Sequence, residues 1–244
     1  MKLEFWHPDM IRFMTDASEY GNYYQQLTEA MLPRLTPDMH ICDAGSGLGY
    51  LSLALAPYAR QVTAVERHPD AAAVLTGNCR KRGISNVHSR CGSIDEILPG
   101  EQYDAMVFCF FGGIRHTLEL AKQQCRGEVF VFTRNYKNHR FSAGSLPTGW
   151  DGYPEFRTQL ESLSIPFHQQ ILVPEFGQPF RSLQDAHRFY ELYSKDPDHS
   201  TITEEFLKTK LVETGRKDFP LYAPHQRQIA FLHFSVKDIP DCIG

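Results

Sequence analysis

Asp43-Ala44-Gly45-Ser46-Gly47-Leu48-Gly49 follows a short apolar run, Ile41 and Cys42, and opens onto a helix-forming stretch from Tyr50 to Tyr58. A strand, a glycine loop and a helix in that order make a ligand loop credible where an isolated glycine cluster would not. Glycine at 45, 47 and 49 removes every Cβ from one side of the turn, so the backbone can lie against a ligand and the helix can pack close to the strand. A dinucleotide fingerprint asks for glycine at the first, third and sixth places of the loop. Here the sixth place is Tyr50 and glycine falls at the fifth, Gly49, which weakens an NAD reading. A tight turn without a ligand is the plain alternative.

The next segment supports a ligand. Gln61-Val62-Thr63-Ala64-Val65-Glu66 is a β-branched run ending in a carboxylate. It lies about twenty residues after the loop, where open α/β sheets place the acid that accepts hydrogen bonds from a ribose diol. A solvated glutamate at a strand end is the alternative.

An acidic residue two positions before Gly-x-Gly-x-Gly, in the run Ile41 to Gly49, resembles motif I of the class I S-adenosylmethionine-dependent methyltransferases. The resemblance spans about Leu35 to Phe132, and reaches the last strand, Gln228 to Val236, by pattern only. It implies S-adenosyl-L-methionine as cofactor, held by Asp43, Ala44, Gly45, Ser46, Gly47 and Gly49 of the loop, by Glu66 on both ribose hydroxyls, and by Arg67 near the adenine. After the third strand the family commonly carries an acid on the adenine amino group. This chain reads Cys91-Gly92-Ser93-Ile94-Asp95, so Ser93 stands in that place beside Ile94, with Asp95 as a substitute. The stretch Tyr103 to Gly112 resembles motif IV and implies contacts from Phe108 and Cys109, while Asp104 belongs to the start of the strand.

Alternating patterns predict strands near Met39–Asp43, Val62–Glu66, Val87–Cys91, Tyr103–Phe108, Glu128–Thr133, His168–Val173 and Arg227–Val236. Helices are predicted near Tyr50–Tyr58, Asp70–Arg82, Gly113–Cys125 and Glu155–Ser164. Repeated βα units of this kind give an α/β fold: a doubly wound, mostly parallel seven-stranded sheet with an antiparallel last strand. Right-handed crossovers put the carboxyl ends of the strands on one rim, where ligands bind at the point of strand-order reversal. The expected organisation is an N-terminal helical cap (1–35), a Rossmann-like methyltransferase domain (36–174 and 227–244) and a helical insertion (175–226). The two strands flanking the insertion are joined in many hairpins by only ~2–5 residues. Ser182-Leu183-Gln184-Asp185 and Thr201-Ile202-Thr203-Glu204 have capping-box spacing, and each precedes a helical pattern. The insertion reads either as a lid over the acceptor or as a peripheral or dimer-forming appendage.

A net charge of -4 over 244 residues gives no global basic field, so a nucleic-acid partner is not expected. No apolar run approaches the ~20 residues that span a bilayer, and no leader pattern opens the chain, so a cytoplasmic protein without a membrane partner is expected. The six cysteines lack Cys-x-x-Cys or His-rich spacing, so no metal site is expected and most read as small buried hydrophobes. Arg80-Lys81-Arg82-Gly83 reads as a helix end with its cations and cap. Arg134, Lys137, His139 and Arg140, interleaved with Tyr136 and Phe141, form either an anion-binding cluster or a solvated loop.

Cys109-Phe110-Phe111-Gly112 lacks the polar Asn/Asp-Pro-Pro-Tyr/Phe motif typical of family members that act on base or glutamine amines. An aromatic wall there suits a small acceptor with an aromatic or apolar portion. Phe111, Arg134 and the tyrosines Tyr20, Tyr23 and Tyr24 are the substrate-side candidates, with helix packing the alternative for the tyrosines. No catalytic base is assigned; His116 and His139 are the histidines placed to reach the rim. A protein or RNA acceptor, or a nucleotide-binding module without catalysis, are the competing readings.

Overall fold

The computed structural model describes residues 6–96, 102–136, 152–193 and 201–242. In chain order the elements are α1 (Pro8–Tyr20), α2 (Tyr23–Met31), β1 (His40–Ala44), α3 (Tyr50–Leu55), β2 (Gln61–Glu66), α4 (Pro69–Arg82), β3 (Val87–Cys91), β4 (Tyr103–Cys109) and α5 (Ile114–Gln124). There follow β5 (Cys125–Arg134), α6 (Tyr153–Ser162), β6 (His168–Leu172), β7 (Gln178–Phe180), α7 (Leu183–Tyr193), α8 (Glu204–Lys210), β8 (Val212–Glu213), β9 (Leu221–Ala223) and β10 (Ile229–Ser235). Two compact units result. One comprises Tyr24–Asn135, Trp150–Leu172 and Gln228–Gly244; the other comprises Met1–Tyr23, Tyr136–Gly149 and Val173–Arg227.

The larger unit is a seven-stranded sheet in the order β3-β2-β1-β4-β5-β10-β6. The neighbours from β3 through β5 are all parallel, and β10 runs antiparallel to both β5 and β6. This is the doubly wound sheet with an antiparallel last strand that the sequence pattern predicts. Strands covered on both faces carry near-continuous apolar runs: Val62, Ala64 and Val65 in β2 and Ala105 to Phe108 in β4 are at most 1% exposed. β3, at an edge, buries Val87 and exposes His88, Ser89 and Cys91. Cys42, Val65, Met106, Leu118, Val129, Leu160 and Leu232 meet in one core. Helix α4 ends as its sequence predicts: Gly83 N–H donates to Arg80 O at 3.3 Å and Ile84 N–H to Cys79 O at 3.0 Å, with three cations in the last turn. Asp104 accepts from His40 N–H at 2.8 Å and from Arg126 at 2.7 Å, which ties β4 to β1 at their starts.

The smaller unit combines α1, α7 and α8 with a three-stranded sheet, β7-β9-β8. The insertion is therefore not only helical. Its strands are two or three residues long, with Pro179 inside β7 and Pro220 and Pro224 flanking β9, too short for alternation to be legible. Phe13 of α1, fully buried, lies 5.0 Å from Phe189 and 6.3 Å from Phe180, edge to face. α1 thus belongs to the core of this unit with Tyr190, Ile202 and Leu207. Ion pairs clamp the same helix: Arg12 to Asp185 at 2.7 Å, Arg188 to Asp9 at 3.2 Å, and Arg181 in a fork on both oxygens of Asp16. Thr203 caps α8 by accepting from Phe206 N–H at 3.1 Å, and Ser182 accepts from Asp185 N–H at 3.1 Å.

Candidate functional site

Register places the carboxyl ends of the parallel strands at one edge. Ala44 stands beside Val65 and Phe108, Glu66 beside Cys91, and Cys109 beside Phe132. The strand order reverses at β1, between β2 and β4, which is where open α/β sheets form their crevice. The glycine loop leaves β1 at this point.

Gly45, Gly47 and Gly49 all have positive φ, 71°, 56° and 77°. Left-handed backbone at three positions in five winds the loop tightly, with Ser46 N–H on Val65 O and Gly49 N–H on Ser46 O, both at 2.9 Å. The vacancy left by a missing Cβ is used for packing at two of them. A Cβ on Gly45 would fall 2.2 Å from the Phe111 ring, and one on Gly49 would fall 2.4 Å from Leu75. Tyr50, in place of the dinucleotide fingerprint's third glycine, is buried at the start of α3 and stacks on Tyr24 of α2 at 5.9 Å. Tyr24 therefore braces the helix that follows the loop, the packing alternative for that residue.

The two acids behave differently. Glu66 receives Gly47 N–H on Oε2 and His68 N–H on Oε1, both at 2.9 Å. Each carboxylate oxygen has a second lone pair, so the fixed carboxylate can accept two further hydrogen bonds. Asp43 is 1% exposed and accepts from Ser52 Oγ at 2.6 Å. Burial pushes its carboxyl from 3.8 to about 6; the Glu66 charge adds to the rise and the Ser52 hydroxyl opposes it. A raised folded pKa means that Asp43's contribution to stability is complete below about pH 4 and is lost as pH climbs through about 6. Asp43→Asn keeps an acceptor for Ser52 and cannot ionise. Relative to wild type, this variant is expected to gain about 3 kcal/mol between pH 4 and pH 7.5. Urea unfolding at both pH values checks this, and an unchanged gap between the two proteins would refute it.

Beyond β3, Ser93 Oγ donates to Asp95 Oδ2 at 3.0 Å, and His116 Nε2 lies 2.6 Å from Asp95 Oδ1. A nitrogen facing a carboxylate carries the proton, which leaves Nδ1 of His116 as the basic nitrogen. The imidazole hydrogen bond holds the Asp95 carboxyl below the usual range. Ser93 and Asp95 are thus one polar unit, and Ile94 between them is buried. After β4, Phe110 has φ of 54°, a strained value for an aromatic residue, and its N–H donates to Phe132 O at 2.8 Å. That sharp turn lays Phe111 against Gly45 on one side and His116 on the other, at 5.6 Å between rings.

Phe108 is fully buried in the core, so its side chain packs there. Arg67 and Cys91 are exposed and Cys109 is half-buried. Burial raises the thiols of Cys42 and Cys125, the second to about 11, as expected for small hydrophobes. Tyr20 and Tyr23 belong to the smaller unit, where Tyr20 stacks on Tyr222 at 4.8 Å and Tyr23 on Phe176 at 4.2 Å. Arg134 ends β5, opposite Ile229 of β10. His139, Lys137, Arg140 and Phe141 lie outside the described residues. Two features of this region went unread in the sequence. Phe111's contact with Gly45 is non-local, and the polar chain joining Ser93, Asp95 and His116 links residues up to 23 positions apart that share no motif.

The site suits a nucleoside ligand. Ser46 Oγ in the loop is buried and has no protein partner among the described residues, and Glu66 keeps acceptor capacity beside it. Among the described residues no helix is long and apolar enough to cross a membrane.

Residues 35–136 match a methyltransferase-domain family. A protein of Lactiplantibacillus plantarum named as an uncharacterized RNA methyltransferase is 31% identical over 100 residues, 39% of this chain and 20% of that one. The ribosomal RNA small subunit methyltransferase A of Corynebacterium glutamicum is 40% identical over 73 residues, 30% of this chain and 25% of that one. The chain thus spans a quarter or less of the length of these curated relatives. A solved SAM-dependent methyltransferase of Aquifex aeolicus superposes with a TM-score of 0.54 at 17% identity, over 69% of this chain and 93% of that one, a likeness of fold. The domain match, the strand order and the acid-bearing glycine loop together mark residues 35–136 as similar to a methyltransferase domain.

Proposed function

We propose that the protein is an S-adenosyl-L-methionine-dependent methyltransferase that methylates a small molecule with an aromatic or apolar portion by direct in-line transfer. The observation that carries the cofactor reading is the glycine loop pinned to Glu66 by Gly47 N–H at 2.9 Å. In this reading Asp43, Ala44, Gly45, Ser46, Gly47 and Gly49 cradle the cofactor, Glu66 takes the ribose hydroxyls, and Arg67, Ser93, Ile94 and Cys109 line the base, with the Phe108 side chain behind them in the core. The bound cofactor supplies a methyl group on a cationic sulfur. The chain's own part is to align the acceptor and exclude water, which supplies most of the acceleration in a displacement of this kind. An acceptor that must lose a proton early needs a base, and His116, with Nε2 on Asp95 and Nδ1 as its basic nitrogen, is the candidate among the described residues. The aromatic segment Phe110-Phe111, without a polar amine-binding motif, supports an apolar acceptor.

An RNA acceptor is favoured by a different observation, the names of the two curated relatives. One experiment separates the two readings: incubation with labelled methyl donor and, in parallel, a small-metabolite extract and total RNA. Label in the metabolite fraction supports the small-molecule acceptor. Label in RNA, with salt-sensitive RNA binding, replaces it.

A further inference from the structure

Glu66 is gripped by backbone on every side. Gly47 N–H reaches Oε2 and His68 N–H reaches Oε1, both at 2.9 Å, and Gly92 N–H holds the Glu66 carbonyl at 3.0 Å. An ionised carboxylate only accepts hydrogen bonds. A hydroxyl that donates to it keeps two lone pairs of its own, and these call for a donor. Two side chains next to the grip have one to give. Ser46 precedes Gly47 in the loop, and His68 is the residue that opens α4. Ser46 Oγ and His68 Nδ1 are both buried without a hydrogen-bond partner among the described residues. At the N-cap position the imidazole could accept from the first backbone N–H groups of α4, yet it makes no such bond. A buried polar atom left unpaired carries a desolvation cost that native structures rarely leave uncompensated. Two of them beside one carboxylate mark a place that a ligand completes.

We propose that His68, with Ser46 beside it, reads the ribose of the bound nucleoside. Each ribose hydroxyl gives its proton to Glu66 and accepts at its own oxygen, one from His68 in its Nδ1–H tautomer and the other from the serine hydroxyl. Both donor atoms are closed to water in the free protein, so binding turns the imidazole about χ2 and the serine about χ1 to present them. The sugar's two hydroxyls are then paired in both directions. A site of this kind rejects an analogue that lacks one hydroxyl, because a buried donor is left unpaired. The ligand's identity rests on the cofactor reading above; the assignment of His68 goes beyond it.

Calorimetric titration of S-adenosylhomocysteine and of its 2′-deoxy and 3′-deoxy forms tests the assignment. His68→Phe keeps a ring and the backbone N–H on Glu66 and removes only the imidazole nitrogens. It is expected to weaken S-adenosylhomocysteine roughly tenfold or more, the scale of one lost buried hydrogen bond. Affinity for the deoxy form that lacks the hydroxyl served by His68 should be unchanged. His68→Asn, whose amide nitrogen stands as far along the side chain as Nδ1, should restore most of the loss. Without ligand, His68→Phe should unfold in urea at a midpoint no lower than wild type, since an unpaired nitrogen does nothing to hold the fold. An equal fall for all three ligands, a His68→Asn no better than His68→Phe, or a lowered midpoint without ligand overturns the assignment. Wild type that binds none of the three ligands overturns the cofactor reading and this assignment together. Wild type and His68→Phe that bind S-adenosylhomocysteine equally overturn this assignment alone.

Discussion

Gly45→Val is expected to destabilise the larger unit by about 2–5 kcal/mol and to abolish adenosyl-ligand binding. Two costs add. A β-branched residue at a φ of 71° costs about 1–2 kcal/mol. Overpacking costs about 1–3 kcal/mol more, since a Cβ would stand 2.2 Å from the Phe111 ring. The ring cannot yield easily, because it sits on a turn whose Phe110 is itself strained and hydrogen-bonded to Phe132. Gly45→Val combined with Phe111→Ala removes the overlap and leaves the backbone cost. Recovery of about half the lost stability in the double variant, measured by urea unfolding, supports the contact as the cause. No recovery would place the whole cost in the backbone.

Phe189→Ala is expected to cost about 3–5 kcal/mol, the range for a buried phenylalanine. Phe189 is fully buried and touches Phe13, Phe180, Tyr190 and Tyr193. Because Phe13 belongs to α1 and Phe189 to the insertion, the loss should free both segments together. Limited proteolysis should then cut within α1 and within α7 at equal rates. Cutting of α7 with α1 still protected would show that α1 does not depend on this core. The same contact bears on removing residues 182–214 to test a lid: the deletion takes Asp185, Arg188 and Phe189 away from α1, so substitutions on the unit's surface are the cleaner probe of substrate choice.

How much of this was legible in the sequence follows from where the information lies. Strands β1, β2, β4 and β5 are legible because central parallel strands are apolar on both faces, and the edge strand β3 because a helix with its own cap precedes it. The loop and Glu66 are legible because their spacing is fixed by one βαβ unit. What needed the structure is non-local. α1 joins the insertion through Phe13, about 176 residues from Phe189, and no periodicity reports that pairing. The strands of the small sheet are too short and too proline-flanked to show alternation. The loop glycines were legible as glycines, but their packing use by Phe111 and Leu75 was not, since the partners come from other elements.

We place S-adenosyl-L-methionine on the loop between β1 and α3, with Glu66 as the acceptor of its ribose hydroxyls. The most direct measurement is calorimetric titration of S-adenosylhomocysteine and of NAD into wild type, Glu66→Gln and Glu66→Ala. Wild type should bind the adenosyl ligand and not NAD. Glu66→Ala removes an acceptor of two ribose hydrogen bonds and should weaken binding by roughly 10- to 100-fold, with Glu66→Gln between the two. Since Glu66 also holds Gly47 and His68, unfolding of each variant is measured alongside, and a loss of affinity in a variant that remains folded supports the site. Tighter binding of NAD, or equal affinity of all three proteins for S-adenosylhomocysteine, would contradict it.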